Sequence, residues 1–398
     1  MKKCAYLHIG TEKTGTTTLQ QFLFVNRDNL HKVNYFIPNS VGARNNRKIV
    51  SYAVSDDRWD DYLDEQGVHT LEQKQHFRDE FLKEFHEEMQ KRLGKEDNIL
   101  LSSEHFSSRL QSVEEIQKIK ELLSTYCDDF KIIIYLRDQR DMMPSTYSTI
   151  LKCGYNATFD EIADKFLEGK SYYYDYAAIL HNWIKVFGKD ALIVRLFDKN
   201  HLIKSDLLSD FLTQIDLAEM DDLFVTENVH KNESINHVGQ MLLRISNKYI
   251  HRFSSTGKVN RDFAQVNRII YDNAKGKGQT LTGDQYNQAK DIYKKSNAWV
   301  QKEFFANQED IFPDKDNLKE PTLTKQEEAV IEDVFTTLLK TKVCNNIEVN
   351  LIRDAAIAYE EKGDIAQALK LMRLAKKFRP KGVSINKKIQ EYRKILST

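Results

Sequence analysis

The sequence is short of three things that classify a chain quickly: cysteine, net charge and long apolar runs. Its four cysteines (Cys4, Cys127, Cys153, Cys344) are far apart and form no C-x-x-C pair. That argues against a disulfide framework or a zinc site and makes a reducing cytoplasm the expected location. The 59 Lys and Arg are matched by 59 Asp and Glu. Without a charge excess, bulk attraction to nucleic acid or an anionic membrane is excluded, so any anion site must be local. No apolar run approaches the ~18 residues of a membrane span, so no stable membrane insertion is expected. Lys2 and Lys3 precede an apolar stretch that ends at Ile9, too short for the core of a secretory signal. Proline is scarce too, and two of the five fall within 312–323, which reads as a linker.

What is present is a folding chain. Hydrophobic residues make up 41% and aromatics 11% of the 398 residues, enough for sizeable cores in two or three domains. The first two hundred residues alternate strand and helix. Cys4–Ile9, Asn98–Leu101, Lys131–Leu136 and Ala191–Leu196 are apolar or β-branched runs, and helical spacing fills the intervals. Thr70 with Gln73 and Ser112 with Glu115 have the capping-box spacing. They open helices expected to run to about Leu93, stopped by Gly94, and to about Cys127. Further helices are expected over 16–29, 140–152 (despite Pro144) and 174–187. Buried strands joined by helical crossovers predict an α/β fold with a P-loop-type three-layer domain, its central parallel sheet flanked by helices. Helices dominate after about Asp198. The division expected is an α/β domain over 1–322 and a small C-terminal all-α segment over 323–398. In that tail Ala355, Tyr359, Gly363, Ala368, Leu371, Ala375 and Pro380 have the spacing of one tetratricopeptide-type repeat. A single repeat cannot bury its apolar face alone, so the tail is expected to pack on the main body, on a protein partner or on a second copy.

The most informative stretch is His8-Ile9-Gly10-Thr11-Glu12-Lys13-Thr14-Gly15-Thr16-Thr17-Thr18-Leu19. A strand ends, a glycine-bounded loop follows and a helix begins at once. That geometry aims free backbone N–H groups and the positive end of a helix dipole at one point, which suits a phosphate. Gly10 and Gly15 have the spacing of a nucleotide-triphosphate loop, yet Thr16 stands where that loop has lysine, and the lysine comes earlier, at Lys13. After the strand Lys131–Leu136 comes Arg137-Asp138-Gln139-Arg140-Asp141, with Ser145 eight residues after Arg137. An arginine leaving a strand end is suited to bidentate phosphate contact. Alone it would read as a surface ion pair with Asp138 or Asp141; beside the first loop, the anion-binding reading wins.

These two motifs, in this order, resemble those of the sulfotransferase superfamily, over roughly residues 3 to 250. The donor loop there has the form P-K-[ST]-G-T-T-x-L, and Glu12 replaces the proline. The resemblance implies 3′-phosphoadenosine 5′-phosphosulfate (PAPS) as donor, its 5′-phosphosulfate held by Lys13, Thr14, Gly15, Thr16 and Thr17 with Thr18 adjacent. It implies Arg137 and Ser145 at the 3′-phosphate, Lys13 stabilising charge on the leaving bisphosphate, and no metal. The stretch Tyr174 to Phe211 resembles bacterial members, with Trp183 and Phe187 facing a core and Gly188 ending a helix. For the base, Ser102-Ser103-Glu104-His105 follows a strand. Glu104 resembles the glutamate of carbohydrate-acting members and His105 the residue type of phenol- and steroid-acting ones. Glu104 is favoured. A histidine titrates near neutrality, whereas a glutamate needs desolvation to act as base. Adjacent residues at a strand end point opposite ways, so one of the two is expected to face the site.

A bacterial-type enzyme sulfating a carbohydrate, polysaccharide or glycolipid acceptor is therefore expected, with no nucleic-acid partner. The competing readings are a nucleotide-dependent kinase using the same loop and a non-catalytic interaction protein built on the tail. The basic stretch 254–279 offers Lys258 or Arg261 to the 3′-phosphate, though solvated surface suits most of it.

Overall fold

The computed structural model describes residues 3–42, 44–94, 97–226, 234–253, 259–308, 310–315, 329, 331, 349–350, 352–361, 363–380 and 382–396. They fall into two compact units. One comprises residues 1–147, 159–234 and 280–320, the other 148–158, 235–279 and 321–398.

The first unit is built on a five-stranded parallel sheet of β1 (Cys4–Gly10), β2 (Tyr35–Phe36), β3 (Asn98–Ser102), β4 (Asp129–Leu136) and β5 (Leu192–Leu196), in the order β2-β3-β1-β4-β5. Strands before β4 add to one side of β1, later ones to the other. The direction of addition therefore reverses at β1, where open α/β sheets bind ligands beyond their carboxyl ends. β1 pairs with β3 from Ala5↔Ile99 to His8↔Ser102 and with β4 from Cys4↔Asp129 to Gly10↔Ile134. Ile99–Leu101 and Ile132–Leu136 are fully buried, as expected of strands covered on both faces.

Helices lie between and after the strands: α1 (Thr16–Val25), α2 (Arg27–Lys32), α3 (Arg47–Ala53), α4 (Asp61–Glu65), α5 (Leu71–Arg92), α6 (His105–Arg109), α7 (Val113–Ser124), α8 (Gln139–Lys152), α9 (Phe159–Leu167) and α10 (Tyr176–Phe187). α11 (Leu207–Gln214) follows β5. Both capping boxes form, Thr70 with Gln73 and Ser112 with Glu115. Phe77, Phe81, Phe85 and Met89 then line one buried face of α5 at i, i+4 spacing. α5 ends on the extended backbone of Leu93 rather than at Gly94, and α7 stops at Ser124, short of Cys127. The expected helix over 16–29 is two helices. The Asn26 side chain donates to the Phe22 carbonyl at 3.0 Å and to the Val225 carbonyl at 2.9 Å, competing with the helical ladder. Asp175 caps α10 by accepting from the Ala178 amide, so the helix starts at Tyr176, after a 3-10 turn over Tyr172–Tyr174. Trp183 is fully buried and stacks on Phe187, and Gly188 ends the helix at φ 83°.

A core of Tyr6, Leu19, Phe22, Leu100, Ile133, Tyr135, Phe211 and Ile215 joins β1, β3 and β4 to α1 and α11. At its edge lies Asp210, fully buried, which accepts from Tyr135 Oη at 2.8 Å, Arg195 Nε at 3.1 Å and the Ile203 amide at 3.0 Å. Asp210→Ala strands a guanidinium and a buried phenol together. It is expected to lower unfolding stability by about 3 kcal/mol or more, read as a shift in the urea midpoint.

The second unit holds α12 (His237–Tyr249) and α13 (Arg261–Asn273), with antiparallel bridges Ile235↔Lys275 and Phe253↔Val259. α14 (Gly283–Phe304), opened by a Thr282/Gln285 capping box, belongs to the first. In the tail, residues 352–361 are helical, followed by helices Ile365–Phe378 and Val383–Ile395. Ala356, Ala368, Met372, Ala375, Ile385, Ile389 and Tyr392 pack into one cluster. Of the repeat positions, Ala368 and Ala375 are buried, whereas Ala355 and Tyr359 are exposed and Ala356 turns inward. Most of the expected linker, 316–323, and most of 324–348 lie outside the described residues. No helix among the described residues is long and apolar enough to cross a membrane.

Candidate active site

β1, β3 and β4 are neighbours, so the segments that follow them emerge side by side at one edge of the sheet. After β1 the chain enters the glycine-bounded loop. Thr11 fastens it to β4, its amide and its Oγ1 both donating to the Tyr135 carbonyl at 3.0 Å. Thr14 Oγ1 donates back to the Thr11 carbonyl at 2.6 Å and curls the loop on itself. Lys13 takes φ 66°, and Gly15, at φ 77°, is the N-cap of α1. Gly15 has no side chain to cap the helix, and among the described residues the amides of Gly15, Thr16 and Thr17 meet no acceptor. An unsatisfied first turn with the helix dipole behind it fits an anion. Thr14 and Thr16 are buried, Lys13 and Thr18 half-buried, Thr17 exposed. Because the Thr14 hydroxyl is engaged inside the loop, what Thr14 offers a ligand is its backbone.

Arg137 leaves β4 and turns onto this loop, Nη1 donating to the Lys13 carbonyl at 3.0 Å. Asp138 and Asp141 do not take it. Asp138 binds Arg140 Nε at 2.9 Å and Nη2 at 2.8 Å, and Asp141 pairs with Lys315. Arg140 also donates to Asp314 at 2.8 Å and to the Phe312 carbonyl at 2.6 Å, so the second arginine of the motif fastens the segment after α14. Ser145 lies half-buried on α8, with no hydrogen bond to Arg137.

After β3 the backbone does not stay extended. Glu104 has φ −64° and ψ −17° and is the N-cap of α6, whose first residue is His105. Alternation across a strand therefore does not separate the two residues, and both lie beside the loop. Gly10 explains how closely the segments approach. A Cβ there would stand 2.9 Å from Ser107 Oγ and 3.1 Å from Glu104 Cα, and its φ is 113°. Gln20, on α1, donates through Nε2 to Glu104 Oε2. Burial pushes the Glu104 carboxyl up, a hydrogen bond from its own backbone amide, the Gln20 hydrogen bond and Arg47 oppose the rise, and Glu12 adds to it. His105 moves the other way. Burial first, then Arg47 and Arg109, hold its imidazole down to about 3, far from the near-neutral titration expected of an ordinary histidine.

Four side chains that sequence reasoning passed over complete this rim. Tyr173 Oη donates to Glu12 Oε2 at 3.0 Å. The other carboxylate oxygen, Oε1, lies 3.7 Å from Arg109 and 3.9 Å from His105 Nδ1. Arg109 is also 3.7 Å from Asp61, which pairs with Arg47. Alternating charges thus run from the loop through α6 to α4 and α3. Glu12 signalled itself only by replacing the expected proline, and Gln20 only as a polar residue among the buried Leu19, Phe22 and Leu23. Of the basic candidates in 254–279, Lys258 lies outside the described residues, and Arg261 is an exposed first residue of α13 in the second unit.

Residues 6–197 match the model of the sulfotransferase domain family. An uncharacterized protein of Archaeoglobus fulgidus is 28% identical over 155 residues, 38% of this chain and 39% of that protein. The chain thus matches about two fifths of that relative's length. A crystal structure of a sulfotransferase from Alicyclobacillus acidocaldarius aligns over 76% of this chain and 96% of its own, with a TM-score of 0.38 and 13% identity.

Proposed function

We propose, from the match of residues 6–197 to the sulfotransferase domain family, that the protein transfers the sulfuryl group of PAPS to an acceptor hydroxyl or amine, on a carbohydrate, polysaccharide or glycolipid. One observation carries this reading: a loop with unsatisfied amides lies between Arg137 on one neighbouring strand end and Glu104 on the other. The loop amides, Lys13 and Arg137 offer the donor's anionic groups what they need, directed N–H groups and fixed positive charge. Bound there, the donor supplies an activated sulfuryl group with a bisphosphate as leaving group. Lys13 stabilises the charge that develops on that phosphate, a preorganised electrostatic contribution in a partly dry site.

Glu104 takes the acceptor's proton. A carboxyl raised by burial is a better base near neutrality than an ordinary one, whereas an imidazole that titrates at about 3 holds a proton too weakly. His105 then stays neutral and is left to hydrogen-bond the acceptor. Because Arg137 bonds to the backbone of Lys13, Arg137 and the loop grip one molecule from adjoining positions, and Ser145 extends the grip along α8.

Thermal unfolding tests the donor. Adenosine 3′,5′-bisphosphate at a hundredfold excess over its Kd is expected to stabilise the protein by about 2.7 kcal/mol, without magnesium. Stabilisation by ADP–magnesium alone would instead indicate a kinase-type site and sink the reading. Transfer of radiolabelled sulfate from PAPS to fractionated glycans then identifies the acceptor class.

A further inference from the structure

Gln20 is buried (5% exposed) on α1, one turn beyond Thr16. Four residues along a helix return to nearly the same face, about 6 Å further on. The face that brings Thr16 to the anion end of the loop therefore brings Gln20 to Glu104, and its Nε2 donates to Glu104 Oε2. Neither the core nor a phosphate cradle calls for an amide at this position, since Leu19, Phe22 and Leu23 fill the core side of the helix. A buried amide without a partner destabilises a fold, and a buried carboxylate does so more strongly, so each of these groups accounts for the other.

We propose that Gln20 is a positioning residue, which fixes the carboxylate of Glu104 in its reactive orientation and ties it to the helix whose N-terminus receives the donor. This rests on the reading of Glu104 as base. The groups that face the Glu104 carboxyl are few: its own backbone amide, Gln20 from α1, Glu12 from the loop and Arg47 from α3, while Ser107 and Ser108 bond only to its carbonyl. Among them Gln20 is the side chain hydrogen-bonded to the carboxylate. Glu12 and Arg47 act through charge, in opposite directions.

The test compares Gln20→Met, which keeps the volume and removes only the amide, with Glu104→Gln and the double variant. Gln20→Met is expected to lower kcat about tenfold, with KM for the donor and affinity for adenosine 3′,5′-bisphosphate within about twofold. The acid limb of its pH–rate profile moves up by about one unit, because the N–H that favoured the ionised carboxylate is gone. In the Glu104→Gln background the same change adds no further loss. A Gln20→Met enzyme with unchanged kcat and an unmoved acid limb, alongside an inactive Glu104→Gln, overturns the role of Gln20 alone. A fully active Glu104→Gln overturns the base assignment and, with it, the positioning.

Discussion

Replacing Glu104 with glutamine is expected to remove about a thousandfold of sulfuryl-transfer activity while leaving the affinity for adenosine 3′,5′-bisphosphate unchanged. Glutamine keeps the size of the side chain and its contact with Gln20 but accepts no proton. The loop and Arg137, the proposed donor site, are untouched. Steady-state turnover and calorimetric binding on the same preparation separate the two. The unmodified enzyme should show its acid limb above the ordinary carboxylate range, because burial favours the neutral carboxyl and the base must be ionised to work. Stability follows with a definite sign. A carboxyl raised in the folded state contributes stability below its unfolded value and loses it as pH rises through the folded one. Glu104→Gln should therefore melt higher than the parent at pH 7, the gap closing towards pH 4. A proposed base that weakens the fold it serves would follow the usual trade at active sites.

Lys13→Met has the second large effect. It keeps an unbranched stem at a position already held at φ 66°, so the backbone demand is the same and only the ammonium is lost. Turnover is expected to fall by about a thousandfold and affinity for the bisphosphate by about tenfold. The asymmetry arises because charge on the leaving phosphate grows towards the transition state. Equal losses in binding and turnover would instead make Lys13 a simple counter-ion of the ground state. Lys13→Arg should recover part of the binding but little of the rate, since a planar guanidinium does not reproduce a point charge.

Much of the framework was legible in the sequence because it is local. β1, β3, β4 and β5 are apolar runs with turn signals at their ends, and Thr70/Gln73 and Ser112/Glu115 sit at fixed three-residue offsets that a capping box demands. β2 was not legible: two residues, Tyr35 and Phe36, give no period to detect. Asn26, which divides one expected helix into two, acts through a carbonyl 199 positions away. The loop, Arg137 and the Glu104–His105 pair stood out as candidates because each follows a strand. Their surroundings did not. Gln20 meets Glu104 across 84 positions and Tyr173 meets Glu12 across 161, and no spacing rule reaches so far. The strand-alternation expectation for Glu104 and His105 failed for a local reason: the chain had already turned into α6, where neighbours are about 100° apart rather than opposed.

The close approach at Gly10 has a consequence for how such a site can diversify. On the loop side of that approach Gly10 has no side chain to trim, and one added there would meet Ser107 Oγ and the Glu104 backbone at once. Substitution at position 10 thus cannot retune that spacing by degrees; it either preserves it or breaks it. The charged rim of Glu12, Arg109, Asp61 and Arg47 is made of exchangeable side chains on α3, α4 and α6, so replacements there can redraw the entrance while the reactive interval behind it stays constant.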